Sequence, residues 1–191
     1  MTPSGPDRHE AVFYFAYGSN LCVRRLGRRA PGVITLGVAS LEGYALRWHK
    51  RGSDGSGKCT IVRSSVRSTV VHGALFLIPK ESMVRLDEVE GVGAGYEKAS
   101  VPVRAPSGTV GAHTYVASPS HVDEALRPYR WYRDLVVLGA DALGLPRRYV
   151  ARLRKVETWQ DIDRGRARRN LVSLPCQPDV ERSRPARGPL A

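Results

Sequence analysis

An α+β domain whose mixed β-sheet is largely closed, a barrel with helices packed around it, is the fold this sequence predicts. Extended segments dominate from residue 12 to about 117, interrupted by one early and one central helix, and helical patterns take over from Pro119. Strands and helices never alternate regularly, which separates the chain from a doubly wound nucleotide-binding sheet. The length, 191 residues, suits one domain with a sizeable core and is short for two. We divide the chain into a disordered leader at 1–11, a domain at 12–159 and a basic, Pro/Arg-rich irregular tail at 160–191.

The first strand, 12–17, alternates Phe13 and Phe15 with Tyr14 and Ala16, all strand-favouring or small. Tyr17, Gly18, Ser19 and Asn20 stop it in a tight turn whose polar end suits a helix N-cap. A helix follows from about 20 to 29 and ends at Pro31-Gly32. Extended segments at 33–39 and 43–49 precede the Gly/Ser-rich loop "KRGSDGSGK" at 50–58, and strands follow near 59–64 and 70–78. Pro79 opens the central helix, which "GVGAGY" terminates. Those glycines follow a helix, whereas a dinucleotide-binding loop follows a strand, so that reading is excluded. Strands at 96–104 and 109–117, joined by "APSG", form a hairpin; helices are expected at 119–126, 129–143 and 146–158, separated by Pro128 and "GLP".

Composition narrows the function classes. No run approaches the roughly 20 apolar residues that span a bilayer, and "MTPSGPDRHEA" lacks the apolar stretch of a signal peptide, so we expect a cytoplasmic protein without membrane contact. Cys22, Cys59 and Cys176 are odd in number and widely spaced, which suggests neither a disulfide framework nor a zinc site. His9, His49, His72, His113 and His121 have no metal-ligand spacing, and no metal or cofactor is expected. The net charge of +12 is lopsided: residues 147–191 carry 12 Lys and Arg against five acidic residues, leaving the body only mildly basic. Arg24, Arg25, Arg28 and Arg29 read as a solvated helix face, and no nucleic-acid signature accompanies the charge, so specific nucleic-acid binding is not expected.

Three features point to chemistry. The turn 17–20 is either a plain capped strand-to-helix turn or a nest of outward N–H groups, reinforced by the helix dipole, that holds a carboxylate or phosphate. A helical wheel locates Glu90 between Leu86 and Met83, inside the apolar arc that runs on to Val84 and Val89. On the same wheel Glu88 lies outside that arc and Asp87 toward its edge. A core-facing carboxylate at a helix C-terminus is the profile of a general acid/base, unless the last turn is frayed into solvent. Tyr132 shares a face with Leu135, Val136 and Gly139, so its phenol needs a partner, either a substrate group or a backbone carbonyl.

Taken together, "YFAYGSN", "LDEVEG" and "WYRDLVVLGADALGLPRRYVARL", in this order over residues 13 to about 158, resemble the γ-glutamylcyclotransferase family. The resemblance implies that the Y-G-S-N turn, with Tyr14, Phe15, Ala16, Tyr17, Gly18, Ser19 and Asn20, holds the α-amino acid end of a γ-glutamyl group. It implies that Glu90 is the acid/base and that Tyr132 and Tyr96 contact substrate. Asn20 and Leu21 fit the broad γ-glutamyl branch, since glutathione-specific enzymes continue Y-G-S with Leu and an aromatic. The polar loop 50–58 would shape the leaving-group pocket.

The expected activity is conversion of a γ-glutamyl amine or amino acid to 5-oxoproline and free amine, without cofactor. The alternative is a non-catalytic γ-glutamyl- or anion-binding regulatory module of the same fold whose basic tail recruits an acidic partner. Oligomeric state is open, and residues beyond about 160 are expected to be dispensable for turnover.

Overall fold

In a computed structural model, residues 10–172 are described; the expected leader, up to residue 9, and the tail beyond 172 lie outside them. Five strands close a barrel in the order β1-β5-β2-β6-β7, where β1 is Ala11–Ala16, β2 Ile34–Glu42, β5 Val70–Pro79, β6 Tyr96–Ala105 and β7 Gly108–Ala117. All neighbours are antiparallel except β1 and β7, whose parallel contact at Tyr14 and His113 completes the closure. The remaining strands, β3 (Tyr44–Arg51) and β4 (Gly57–Arg63), pair with each other as a separate hairpin. The expected α+β barrel is therefore present, with "APSG" as the turn of its β6–β7 hairpin.

Helices α1 (Val23–Arg29), α2 (Lys80–Glu90), α3 (Arg130–Ala142), α4 (Arg147–Arg154) and α5 (Arg164–Val172) pack around it. One buried cluster runs from Phe15, Phe76, Leu41 and Val103 of the barrel to Leu86 of α2, Val136 of α3 and Leu153 of α4. At roughly 25 cal/mol per Å² of buried apolar surface, this continuous core is the main stabilising term. Gly139 lets α3 lie directly on the chain after the Y-G-S-N turn: a Cβ there would meet the backbone of Leu21 and Cys22 at 2.6 Å. That close approach fixes the turn against a rigid helix.

Several elements differ from expectation. The early helix does not start at residue 20; a 3-10 turn at Ser19–Leu21 precedes α1, and neither has a side-chain cap. Asn20 is drawn into a buried network instead of capping. The loop at 50–58 is shorter, because β3 runs through Arg51 and β4 starts at Gly57, with Asp54 tying the connection to Ser56 and Lys58. The helix expected at 119–126 is a single 3-10 turn, Pro119–His121, since the Asp123 N–H bonds the His49 carbonyl and Val122 bridges Lys50, pairing this segment with β3. The last expected helix stops at Arg154, where the Arg133 guanidinium takes the carbonyls of Arg154 and Val156.

The tail is not irregular throughout, because α5 occupies 164–172. Charge pairing holds it in place, which a search for an apolar face could not detect. The Asp161 carboxylate receives the Trp131 indole N–H at 2.8 Å and the Arg166 guanidinium at 2.7 Å, while Asp163 accepts the Arg166 backbone N–H at 2.9 Å, as an N-terminal cap does. Arg166 also lies 5.3 Å over the Tyr129 ring. The Arg166 hydrogen bond is the main cause holding the Asp161 carboxyl well below the ordinary carboxylate range. A depressed carboxylate stabilises above its unfolded value of about 3.9 and loses that contribution as the pH falls toward the folded one. Asp161→Asn should therefore release α5 at neutral pH, and acid should release it in the parent. Trypsin cleavage at Arg164–Arg169 is the readout, and a cleavage rate unchanged by the substitution would refute this docking.

Candidate active site

The Y-G-S-N turn, the end of α2 and the first turn of α3 meet at a narrow pit lined by Tyr14, Tyr17, Gly18, Ser19, Asn20, Cys59, Glu90, Tyr96, Tyr115 and Tyr132. Seven of the residues expected from sequence to bind substrate are thus together with Glu90. Phe15 and Ala16 are not: both are buried in the core, and the Phe15 ring packs so closely under β5 that a Cβ on Gly73 would lie 2.7 Å from it. Strand alternation turns Phe15 away from the face that carries Tyr14.

Glu90 sits where the wheel places it, with its side chain 15% exposed. The buried arc of α2 is narrower than expected: Ser82, Met83 and Leu86 are buried, whereas Val84 and Val89 face solvent. Gly91, left-handed at φ 70°, caps the helix by returning its N–H to Asp87 and Glu88, so the last turn is ordered and Glu90 is not frayed. Two donors reach the same carboxylate oxygen: Arg29 Nη1 lies 2.6 Å and Asn20 Nδ2 3.0 Å from Oε1. Arg29 also donates to Asn20 Oδ1 at 3.0 Å, and Asn20 Nδ2 donates to the Tyr14 hydroxyl at 2.8 Å. Both contacts fall on Oε1, and among the described residues Oε2 has no hydrogen-bond partner, in a side chain that lines the pit. Asp87 is engaged elsewhere, accepting from the Tyr115 hydroxyl at 2.8 Å and from Lys98 at 2.6 Å. Glu88 is exposed.

Arg29 corrects the reading of the early arginines as a solvated face. Arg24 and Arg28 are exposed, but Arg25 and Arg29, one turn apart, face the site. Nothing in the composition separates the two pairs; the assignment requires knowing which face of α1 meets α2.

Cys59 of β4 was also not legible in sequence. Its carbonyl accepts from the Tyr96 hydroxyl at 2.7 Å, and its N–H donates to the Tyr132 hydroxyl at 3.2 Å. Tyr132 thus accepts from a backbone N–H rather than donating to the backbone carbonyl posed for it, and it also lines the pit. The Tyr17 hydroxyl donates to the Tyr115 carbonyl. Burial pushes the Cys59 thiol up to about 12 and raises the phenols of Tyr14, Tyr17, Tyr96, Tyr115 and Tyr132 well above their ordinary value. At neutral pH the thiol is protonated and unsuited to nucleophilic attack, and the phenols are neutral donors. Among the described residues no group of three or more His, Cys, Asp or Glu is placed to hold a metal ion. Among the same residues no helix is long and apolar enough to cross a membrane.

The pit opens into an outer cavity of ≈ 400 Å³, with which it shares Ser19, Glu90, Tyr96 and Tyr132. Gly52, Ser53, Asp54 and Lys58 line this cavity, the position expected for the polar loop. So do Arg166 and Asn170 of α5, which removes the basis for treating everything beyond 160 as dispensable.

The arrangement offers one oriented carboxylate, the hydroxyls of Tyr14 and Tyr132, which accept in their bonds to Asn20 and the Cys59 N–H, and a turn in which Leu21 N–H bonds Gly18 and Cys22 N–H bonds Ser19, so the preceding N–H groups have no partner within the turn. The chain is similar to several known proteins. Residues 70–153 match the AIG2-like family. The chain is 31% identical to the human γ-glutamylcyclotransferase over 167 residues, covering 81% of this chain and 82% of that one, and 30% identical to the mouse enzyme over 161 residues, covering 78% and 80%. A solved γ-glutamyl cyclotransferase superposes with a TM-score of 0.73 at 28% identity, covering 80% of this chain and 92% of that chain. A yeast glutathione-specific γ-glutamyl cyclotransferase, at 12% identity and a TM-score of 0.55 over 76% and 95% of the two chains, shares the fold.

Proposed function

The chain belongs to the γ-glutamylcyclotransferase family, and from that premise we propose that it cyclises a γ-glutamyl amide to 5-oxoproline and releases the free amine, with Glu90 as the single acid/base. The observation that carries this reading is the anchoring of Glu90 through Oε1 by Arg29 and Asn20, with Oε2 unpartnered among the described residues and the side chain on the wall of the tyrosine-lined pit. A carboxylate held through one oxygen with the other unengaged is suited to moving a proton.

In this reading the substrate's α-carboxylate lies against the N–H groups of the turn at Gly18–Asn20, where backbone donors favour an anion. The α-amino group is protonated near neutral pH. Glu90 removes a proton, and the freed nitrogen pair attacks the γ-carbonyl carbon of the same molecule. The C=O electrons move onto oxygen, which the hydroxyls of Tyr14 and Tyr132 can meet, since both accept in the bonds they make to Asn20 and the Cys59 N–H. Glu90 returns its proton to the leaving nitrogen as collapse re-forms the carbonyl and breaks the bond to that nitrogen; the attacking nitrogen, which still carries two hydrogens, then gives one up through the same carboxylate to the departing amine, which leaves as its ammonium ion. The closed ring is 5-oxoproline. Attack within one molecule requires the amine roughly 3–3.5 Å from the carbonyl carbon, so holding the glutamyl chain curled in a narrow pit supplies much of the acceleration.

No step uses a cofactor, and a cytoplasmic location belongs to the same proposal. Incubation with a panel of γ-glutamyl amino acids and γ-glutamyl amines, followed by mass detection of 5-oxoproline, is the test. A protein that binds these compounds and forms no 5-oxoproline from any of them would be the non-catalytic module instead.

A further inference from the structure

We propose that the outer cavity selects a leaving group carrying two separated carboxylates, so that the preferred substrate is a γ-glutamylated acidic amino acid such as γ-glutamylglutamate; this rests on the cyclotransferase reading above. The shared residues Ser19, Glu90, Tyr96 and Tyr132 connect the pit to the cavity, so a substrate whose glutamyl end fills the pit extends its amine portion outward past Glu90. At ≈ 400 Å³ the cavity lies within the range of about 300–1,000 Å³ common for small-molecule sites.

Its lining has an excess of positive charge, with Arg25, Arg29, Lys50, Lys58 and Arg166 facing the carboxylates Asp54 and Glu90. Three of the cations have partners: Arg29 with Glu90, Lys58 with Asp54 at 2.7 Å, and Arg166 with Asp161. Among the described residues neither Arg25 nor Lys50 has a carboxylate within ion-pair distance. Arg25 reaches only the neutral Asn170 Oδ1, at 3.4 Å, and its buried Nε has no acceptor. Lys50 is 9% exposed, with its ammonium 4.5 Å over the Tyr96 ring.

Desolvated cations without a carboxylate in contact are costly, and burial lowers the pKa of both groups, offset only in part by Glu90 at Arg25 and by Glu90 and Asp54 at Lys50. A bound anion reverses that cost. Arg25 projects from α1 and Lys50 from β3, on different elements around one cavity, so one carboxylate would leave one cation unmatched. An acidic amino acid supplies two, through its α-carboxylate and its side chain. An uncharged amine supplies none.

The test compares γ-glutamylglutamate with γ-glutamylglutamine, which differ by one charge at nearly constant shape. On the full chain, kcat/KM should favour the diacid at least about tenfold, the scale of one added charge contact, and the ratio should shrink toward one in roughly 0.5 M salt. Arg25→Gln and Lys50→Met should each lower the ratio at least about threefold; two substitutions guard against one failing to fold. Binding to the Glu90→Gln variant by calorimetry separates selection from chemistry. Formation of 5-oxoproline from both compounds at equal kcat/KM would overturn the inference and leave the cyclotransferase reading intact. Tighter binding of the diacid with no 5-oxoproline from either would support the anion-selective cavity and overturn the reaction. A ratio unmoved by both substitutions would overturn the inference.

Discussion

Glu90→Gln should lower the turnover number at least about a hundredfold, the usual scale for a lost acid/base, while changing substrate binding by no more than a few-fold. The amide keeps the shape of the carboxylate and an oxygen for Arg29 and Asn20, the two groups that contact Oε1. It cannot accept the ammonium proton of the substrate. Arg29 would lose its counter-ion, so any shift in affinity for an anionic substrate should be toward tighter binding. Two neighbouring carboxylates serve as controls. Glu88 is exposed, and Glu88→Gln should be silent. Asp87 supports the pit indirectly, through the Tyr115 hydroxyl and Lys98, so Asp87→Asn should cost some stability and only a few-fold in rate. Steady-state kinetics with detection of 5-oxoproline, alongside calorimetric binding, would decide the assignment. Near-parental turnover in Glu90→Gln with a dead Asp87→Asn or Glu88→Gln would move the base to another residue.

How far the sequence reached can be read from α2. Helical periodicity placed Glu90 on the buried arc because spacing alone fixes its angle relative to Leu86 and Met83, whatever the helix packs against. The same wheel widened the arc to Val84 and Val89, which face solvent, because periodicity locates apolar residues without knowing where the neighbouring surface ends. Closure of the barrel followed from a succession of strands without regular helical crossovers. The Arg29–Glu90 pair did not follow, since its partners are 61 residues apart and meet only through tertiary packing. Cys59 is hidden for the same reason: its part in the site is its backbone, which the Tyr96 and Tyr132 hydroxyls grip, and a backbone role leaves no residue-type signal. Helix α5 leaves no apolar stripe in the sequence, because the Asp161–Arg166 ion pair and the Asp163 carboxylate capping the Arg166 backbone N–H hold it.

Gly18→Val should lower kcat/KM at least about a hundredfold, by a route that differs from the loss of the base. The obstacle is space. A Cβ at this position would stand 3.0 Å from the Cys59 Cβ and 3.6 Å from the Tyr132 hydroxyl, both on the wall of the pit. Alanine requires a shift of a few tenths of an ångström, and about a tenfold loss is expected. Valine adds two methyl groups directed at the same wall; overpacking of this kind costs about 1–3 kcal/mol and moves the backbone. The moving parts are the turn N–H groups assigned to the α-carboxylate and the Tyr132–Cys59 contact, and displacement of substrate-positioning groups by about 1 Å can cost a hundredfold. Both KM and kcat should therefore deteriorate in Gly18→Val, whereas Glu90→Gln affects kcat almost alone. Ser19→Ala is the counterpart: if the turn binds through its backbone, removing this hydroxyl should cost no more than a few-fold. Thermal melting would show that Gly18→Val remains folded. A folded Gly18→Val enzyme with parental KM and kcat would place the glutamyl end somewhere other than this turn.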